Sequence, residues 1–152
     1  MKTFLGLSVG LALCASFAAA QSTPDFSGTW EPVGSAGGNT SGLVQTVVHK
    51  DGTLTLAHAS EGGGHRFVYK TDGSQSHSTL MDVTSVATVT VKGDALTMVR
   101  VSTYPDGRIR ENTQVWSLDA EGHLVIESKD GLRGEAPTIR KTVYKKRVLS
   151  KH

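Results

Sequence analysis

Cysteine is almost absent from this chain of 152 residues. The single cysteine, Cys14, falls inside an apolar N-terminal segment. If that segment is removed, as argued below, no thiol remains in the protein. Neither disulfide bonds nor thiolate metal sites can then stabilise or activate the fold. The core must come from side-chain packing, for which a single domain of about 130 residues is long enough.

A large net charge is also missing. The chain carries 16 Lys and Arg residues against 14 Asp and Glu residues, which gives a formal charge of +2. Loss of residues 1–20 would remove Lys2 and no acidic group, and would lower the formal charge to +1. Such an even balance argues against an electrostatic nucleic-acid binder, so no nucleic-acid partner is predicted.

The apolar N-terminal segment has the pattern of a cleavable secretory signal peptide. Lys2 supplies a positive start, residues 4–20 are apolar or small, and small residues from Ala18 to Ala20 precede the polar Gln21. The run is too short and too rich in small residues for a membrane span. We therefore expect a signal peptide over residues 1–20, one domain over residues 21–152, no integral membrane segment after cleavage, and a periplasmic or secreted protein.

Helical periodicity is missing from the rest of the chain, where no stretch repeats apolar residues every 3.6 positions. Short runs rich in Val, Thr and Leu are instead separated by dipeptides that tolerate the positive φ angles of tight hairpins. The dipeptides are Asp51-Gly52, Asp72-Gly73, Gly93-Asp94, Asp106-Gly107, Glu121-Gly122 and Asp130-Gly131. The strands predicted between them lie near residues 27–33, 42–50, 53–60, 65–71, 84–92, 95–104, 109–118, 123–129 and 138–147.

Eight or nine short strands joined mainly by hairpins predict an all-β protein. A single antiparallel up-and-down β-barrel hides the sheet edges most completely, whereas a two-sheet sandwich would need long crossover connections. Two looser segments interrupt the pattern: residues 34–41, rich in Gly and Ser, and residues 74–82, which are polar. We expect both to be loops that frame the mouth of the barrel.

The opening segment Pro24-Asp25-Phe26-Ser27-Gly28-Thr29-Trp30 resembles the first strand of lipocalin-like, or calycin-like, barrels, which carry a Gly-x-Trp motif. It is most similar to the start of small secreted bacterial lipocalin-like proteins. Their later elements are matched by Thr71-Asp72-Gly73, Gly93-Asp94-Ala95-Leu96, Trp116-Ser117-Leu118 and Val143-Tyr144. The resemblance therefore covers nearly all of residues 24–147, although the chain is shorter than full lipocalins, lacks their disulfides and shows no C-terminal helix.

The resemblance implies structural roles for Gly28 and Trp30. Gly28 would let the backbone bend at the closed end of the barrel, and Trp30 would plug that end. In lipocalins a basic residue of the last strand packs over this Trp, and Arg140, Lys145 and Arg147 are the candidates here.

Recognised catalytic motifs are missing too. The sequence has no Gly-x-Ser-x-Gly, no phosphate-cradling loop and no His-Glu-x-x-His, so no catalytic residue and no cofactor are predicted. His58 and His65 flank a Gly-rich turn that contains Glu61, a combination that could bind zinc. Solvated histidines at strand ends are the more ordinary interpretation, so no metal is predicted.

Alternating residues on four strands predict the wall of an interior cavity. The predicted ligand-binding residues are His58, Phe67, Tyr69, Met98, Arg100, Gln114 and Trp116. Arg100 is the most informative of them, because a charged group inside a barrel must be paired or must meet an anionic ligand. Its strand is apolar on both faces, however, so Val99, Val101 and Thr103 form an alternative inward face that would leave Arg100 in water.

These observations predict a lipocalin-like barrel that binds a small, mainly apolar or amphipathic molecule in its cavity without covalent chemistry. One alternative is an enzyme on the same barrel, an isomerase, lyase or hydrolase, in which His58, Tyr69 and Arg100 supply acid-base chemistry and anion stabilisation. Another is an envelope interaction module that works through its loops.

Overall fold

The computed structural model describes residues 23–33, 44–58 and 64–148, which form ten antiparallel β-strands. The strands are β1 (Gly28–Pro32), β2 (Gln45–Lys50), β3 (Thr53–His58), β4 (His65–Lys70), β5 (Asp72–Leu80), β6 (Val83–Lys92), β7 (Ala95–Thr103), β8 (Ile109–Leu118), β9 (Leu124–Leu132) and β10 (Thr138–Lys146). These residues contain no helix long and apolar enough to cross a membrane. The predicted signal peptide and the Gly-rich loop 34–41 lie outside the described residues.

The strands form one up-and-down sheet that curls into a nearly closed barrel. Each strand pairs with its neighbour in sequence, except that β4 and β5 share no ladder, and β1 pairs with β10 to bring the two ends of the chain together. The sheet order is therefore β4-β3-β2-β1-β10-β9-β8-β7-β6-β5. This confirms the predicted all-β barrel, with one open seam between β4 and β5.

Four of the six predicted turn dipeptides join strands as expected. Asp51-Gly52 and Gly93-Asp94 form two-residue connections, and Asp106-Gly107 and Glu121-Gly122 lie in slightly longer ones. Asp51 has φ +51° and Gly52 has φ +70°, the pair of positive values that favours Asp-Gly in hairpins. The other two predictions are wrong, because Asp72-Gly73 begins β5 and Asp130-Gly131 lies within β9.

The prediction of a loop over residues 74–82 is also wrong. Most of these residues belong to β5, the one strand that was not predicted from the sequence. The strand ends in a two-residue turn at Met81 and Asp82, whose φ angles are +48° and +63°. Met81 gives no indication of this turn, because Met rarely adopts a positive φ. The polar composition of β5 is explained by its place at the seam, where much of the strand is exposed.

The closed end of the barrel contains the tightest packing. Phe26, Trp30, Leu96, Trp116 and Leu124 are at most 1% exposed and belong to one core cluster. The Phe26 ring meets Trp116 edge-on at 6.2 Å, and its carbonyl oxygen accepts a hydrogen bond of 2.9 Å from the Trp30 indole nitrogen. The interior of the barrel at this end is therefore filled by its own side chains.

The basic residue that covers Trp30 is Lys146, not Arg140, Lys145 or Arg147 as the sequence suggested. Trp30 and Lys146 are register partners on β1 and β10, so their side chains share a face, whereas the adjacent Lys145 reaches outward to Glu31. A Cβ atom on Gly28 would overlap the Lys146 side chain, and Gly28 has φ +153°. Gly28 thus allows Lys146 to lie across the base.

Candidate functional site

Arg100 lies on the inner face of β7, together with Leu96 and Met98. Its guanidinium donates a 2.8 Å hydrogen bond to the Tyr69 hydroxyl, which belongs to β4 on the far side of the seam. Val99, the alternative inward residue, is 40% exposed. The structure therefore selects the register that directs the arginine into the barrel.

The guanidinium of Arg100 is held by aromatic rings. Its Cζ atom lies 5.6 Å from the centroid of Phe67 and 5.9 Å from that of Tyr69, and these two rings stack on each other. Contacts of this kind stabilise a cation but leave its charge uncompensated. Among the described residues, no carboxylate forms an ion pair with Arg100. A partly buried positive charge thus remains available to an anion.

An apolar pocket of about 270 Å³ lies on one side of Arg100, next to the seam. The apolar pocket is lined mainly by Phe67, Leu80, Met81, Val83, Ser85 and Arg100. Leu80 ends β5 and Met81 begins the turn between β5 and β6, and Met81 is 87% exposed. The pocket thus joins an apolar rim to a single charged anchor, a usual composition for a small-molecule site.

A polar pocket of about 300 Å³ also uses Arg100 as part of its wall. Its other lining residues are Ser102, Tyr104, Arg110, Asn112, Gln114 and Asp130. Asp130 accepts hydrogen bonds from both Arg110 and Asn112, and the contact with Arg110 holds the pKa of this carboxyl below its usual value. Asp130 therefore neutralises Arg110 in this pocket and leaves Arg100 as the guanidinium without a carboxylate partner.

His58 lies near the same site on β3. Its ring meets that of Phe67 at 6.4 Å, and burial, the Arg100 charge and His65 lower its pKa. His58 and His65 are register partners, as their flanking positions suggested, whereas Glu61 lies outside the described residues. A lowered pKa keeps His58 neutral at neutral pH, so Arg100 carries the positive charge of the site.

Three of the seven predicted ligand-binding residues belong to the buried core. Tyr69, Met98 and Trp116 are at most 3% exposed and belong to the core cluster. Trp116 contacts the site only indirectly, because its indole nitrogen donates to the Gln114 side-chain oxygen at 2.9 Å. The structure brings Arg100 together with Phe67, Gln114 and Tyr69, and places His58 beside Phe67.

Several residues of the site were missed from the sequence. Asp130 and Arg110 were not recognised, because the Asp-Gly dipeptide was interpreted as a turn. Leu80 and Met81 were missed because they follow a polar stretch that was taken for a loop. An apolar pair at the end of such a stretch was the available indication of a strand end.

One group of potential metal ligands lies elsewhere, in the connection between β8 and β9. The ligand atoms of Asp119, Glu121 and His123 are within 4.8 Å of one another. The Asp119 carboxylate already accepts hydrogen bonds from the Glu121 and His123 backbone and faces the His123 ring nitrogen at 3.0 Å. These bonds explain the grouping, and we assign no metal to it.

Comparison with known proteins adds no family to this description. No protein-family model matches the chain, and no curated protein is similar to it.

Proposed function

We propose that this protein is a lipocalin-like binding protein that acts outside the cytoplasm and takes up a small, mainly apolar carboxylic acid without covalent chemistry. The observation that carries the proposal is Arg100, a partly buried guanidinium that borders both an apolar and a polar pocket. The nearly closed antiparallel barrel is compatible with the lipocalin resemblance of the opening Gly-x-Trp segment. The signal-like pattern of residues 1–20 supports export.

The geometry favours an amphipathic anion over a neutral apolar molecule. A carboxylate on Arg100 would gain a charge-assisted hydrogen bond, while the apolar body would leave water for the pocket beside Phe67 and Met81. About 270 Å³ is the space of a short-chain or single-ring acid. Of the residues of the alternative enzyme, Arg100 lines this pocket, Tyr69 accepts its hydrogen bond and His58 lies beside Phe67, so the same experiment also tests for turnover.

The test compares carboxylic acids with their neutral methyl esters by titration calorimetry. We expect one-to-one binding of the acids, and Arg100→Leu should weaken the acids by roughly tenfold to a hundredfold while it changes ester affinity little. The matched control is Arg133→Leu, because Arg133 is exposed and already paired with Glu111. It should leave both affinities unchanged.

Three results would contradict the proposal. Equal losses for acid and ester in Arg100→Leu would show that Arg100 is not the anchor. An absence of saturable binding across a broad panel of acids would favour the interaction module. If an ester is hydrolysed and His58→Ala abolishes this hydrolysis, the protein is an enzyme and the binding proposal is wrong.

A further inference from the structure

Two unsatisfied polar atoms lie on neighbouring strands near the candidate site. Gln45 is only 6% exposed, yet its side-chain nitrogen Nε2 has no hydrogen-bond partner, and the Nδ1 atom of His58 is likewise buried without one. Buried polar atoms are almost always paired in folded proteins, because an unpaired one loses its bonds to water. Together with the Asn112 oxygen, they are the unsatisfied side-chain atoms recorded among the described residues.

The register of the sheet places Gln45 and His58 side by side. They are direct partners in the β2–β3 ladder, so both side chains point to the inner face at a separation typical of cross-strand pairs, about 5 Å. His58 in turn contacts Phe67, whose ring lies 5.6 Å from the Arg100 guanidinium carbon. His58, one member of the unsatisfied pair, and the charged anchor Arg100 therefore both lie beside Phe67, which lines the apolar pocket.

A hydroxyl group could supply the hydrogen-bond partners that Gln45 Nε2 and His58 Nδ1 lack. Gln45 Nε2 can only donate a hydrogen bond, and the Nδ1 atom of a neutral histidine can accept one when the ring proton sits on Nε2. A hydroxyl oxygen accepts from the first atom while its hydrogen is donated to the second. Burial and the neighbouring charge of Arg100 lower the pKa of His58 and so favour this neutral form.

We infer that Gln45 and His58 form a second polar subsite, and that the preferred ligands are hydroxy acids whose carboxylate binds Arg100 and whose hydroxyl lies between these two residues. The inference rests on the proposed function, because it assumes that an acid occupies the pocket. It narrows the ligand class from carboxylic acids in general to those that also carry a hydroxyl group.

The experiment titrates a series of hydroxyalkanoic acids, which differ in the spacing of hydroxyl and carboxylate, against the deoxy acids of equal chain length. At one spacing the hydroxy acid should bind the wild-type protein about tenfold or more tightly than its deoxy partner, because two buried groups become paired. Gln45→Leu should remove this preference and keep the affinity for the deoxy acid. Gln75→Leu, the same substitution at an exposed position on β5, should leave the preference intact.

A second variant keeps the inference testable if Gln45→Leu does not fold. His58→Phe retains a ring beside Phe67 but removes Nδ1, and it should also abolish the preference for the hydroxyl. If deoxy acids bind through Arg100 and no hydroxy acid binds more tightly than its partner, the subsite is refuted and the binding function stands. If no acid of either kind binds, both proposals fail together.

Discussion

The ammonium group of Lys146 lies 5.5 Å from the centroid of the Trp30 indole ring and covers it at the closed end of the barrel. Trp30 is 1% exposed, and its nitrogen is satisfied by the Phe26 carbonyl oxygen. The indole is therefore sealed between a core of apolar side chains and one long basic side chain. This arrangement ties the first strand to the last.

Trp30→Ala should lower the free energy of unfolding by about 3–5 kcal/mol, because it removes a large buried aromatic side chain and leaves a cavity. Lys146→Ala should lower it by no more than about 1 kcal/mol, since a cation over an aromatic ring at an exposed position contributes little. Urea denaturation followed by circular dichroism measures both. A change within error for Trp30→Ala would show that the closed end does not depend on this residue.

The stability of the barrel should fall as the pH decreases from about 7.5 to 5. The pKa of His58 lies below its usual value of 6.5, because burial disfavours the charged imidazolium and the nearby charges of Arg100 and His65 repel it. The unfolded chain therefore binds this proton more readily than the folded one, and the loss begins as the pH falls through 6.5. Thermal melts in matched buffers detect it.

Two Gln substitutions, one as the test and one as its control, assign this pH effect to a residue. His58→Gln should reduce the loss of stability between pH 7.5 and 5, whereas His77→Gln, at an exposed position on β5, should not. An equal pH dependence in wild type and His58→Gln would assign the effect to other groups.

Asp130→Asn should strengthen the binding of carboxylic acids by roughly threefold to tenfold, as the loss of a nearby negative charge implies. The substitution removes the carboxylate that neutralises Arg110, so two uncompensated guanidinium groups would then face the polar pocket. Glu111→Gln is the control, because it frees Arg133 outside that pocket. Weaker acid binding in Asp130→Asn would contradict this expectation. It would mean that the ion pair between Asp130 and Arg110 holds the pocket in its binding geometry, and that this outweighs the negative charge it adds.

If residues 1–20 are a signal peptide, processing should leave Gln21, or a residue within one or two positions of it, at the N-terminus. The prediction depends on the small residues from Ala18 to Ala20, and intact mass measurement of protein from the culture or periplasm tests it. A lipid adduct on Cys14 would instead identify an anchored protein.

Most of the fold could be predicted because its main sequence patterns are local. Alternation with a period of two and the Asp-Gly and Gly-Asp dipeptides located nine strands, since each depends only on residues close together in the chain. The missed strand, β5, is an edge strand at the seam, where an exposed polar face conceals the alternation. Met81 and Asp82 then form the turn, and because Met rarely adopts a positive φ, this dipeptide lacks the pattern of the other hairpin turns.

The site was harder to predict because it depends on which strands face each other across the barrel. Arg100 was a candidate, but its register could not be decided while Val99 and Val101 offered an equal apolar face. The contact with Tyr69 decides it, and that contact joins residues 31 positions apart. Lys146 was overlooked for a similar reason, since the Trp30 register partner depends on how β1 meets β10.

The seam between β4 and β5 also interrupts the circumference of the barrel. In a fully closed barrel every strand is held to both neighbours by a ladder of hydrogen bonds, so the diameter cannot change without breaking one. Here β4 and β5 share no ladder and are joined in the chain by Thr71 alone. The hydrogen bond from Arg100 to Tyr69 links β7 to β4 across this seam. The two ends of the sheet are thus held to each other by side chains and not by a backbone ladder.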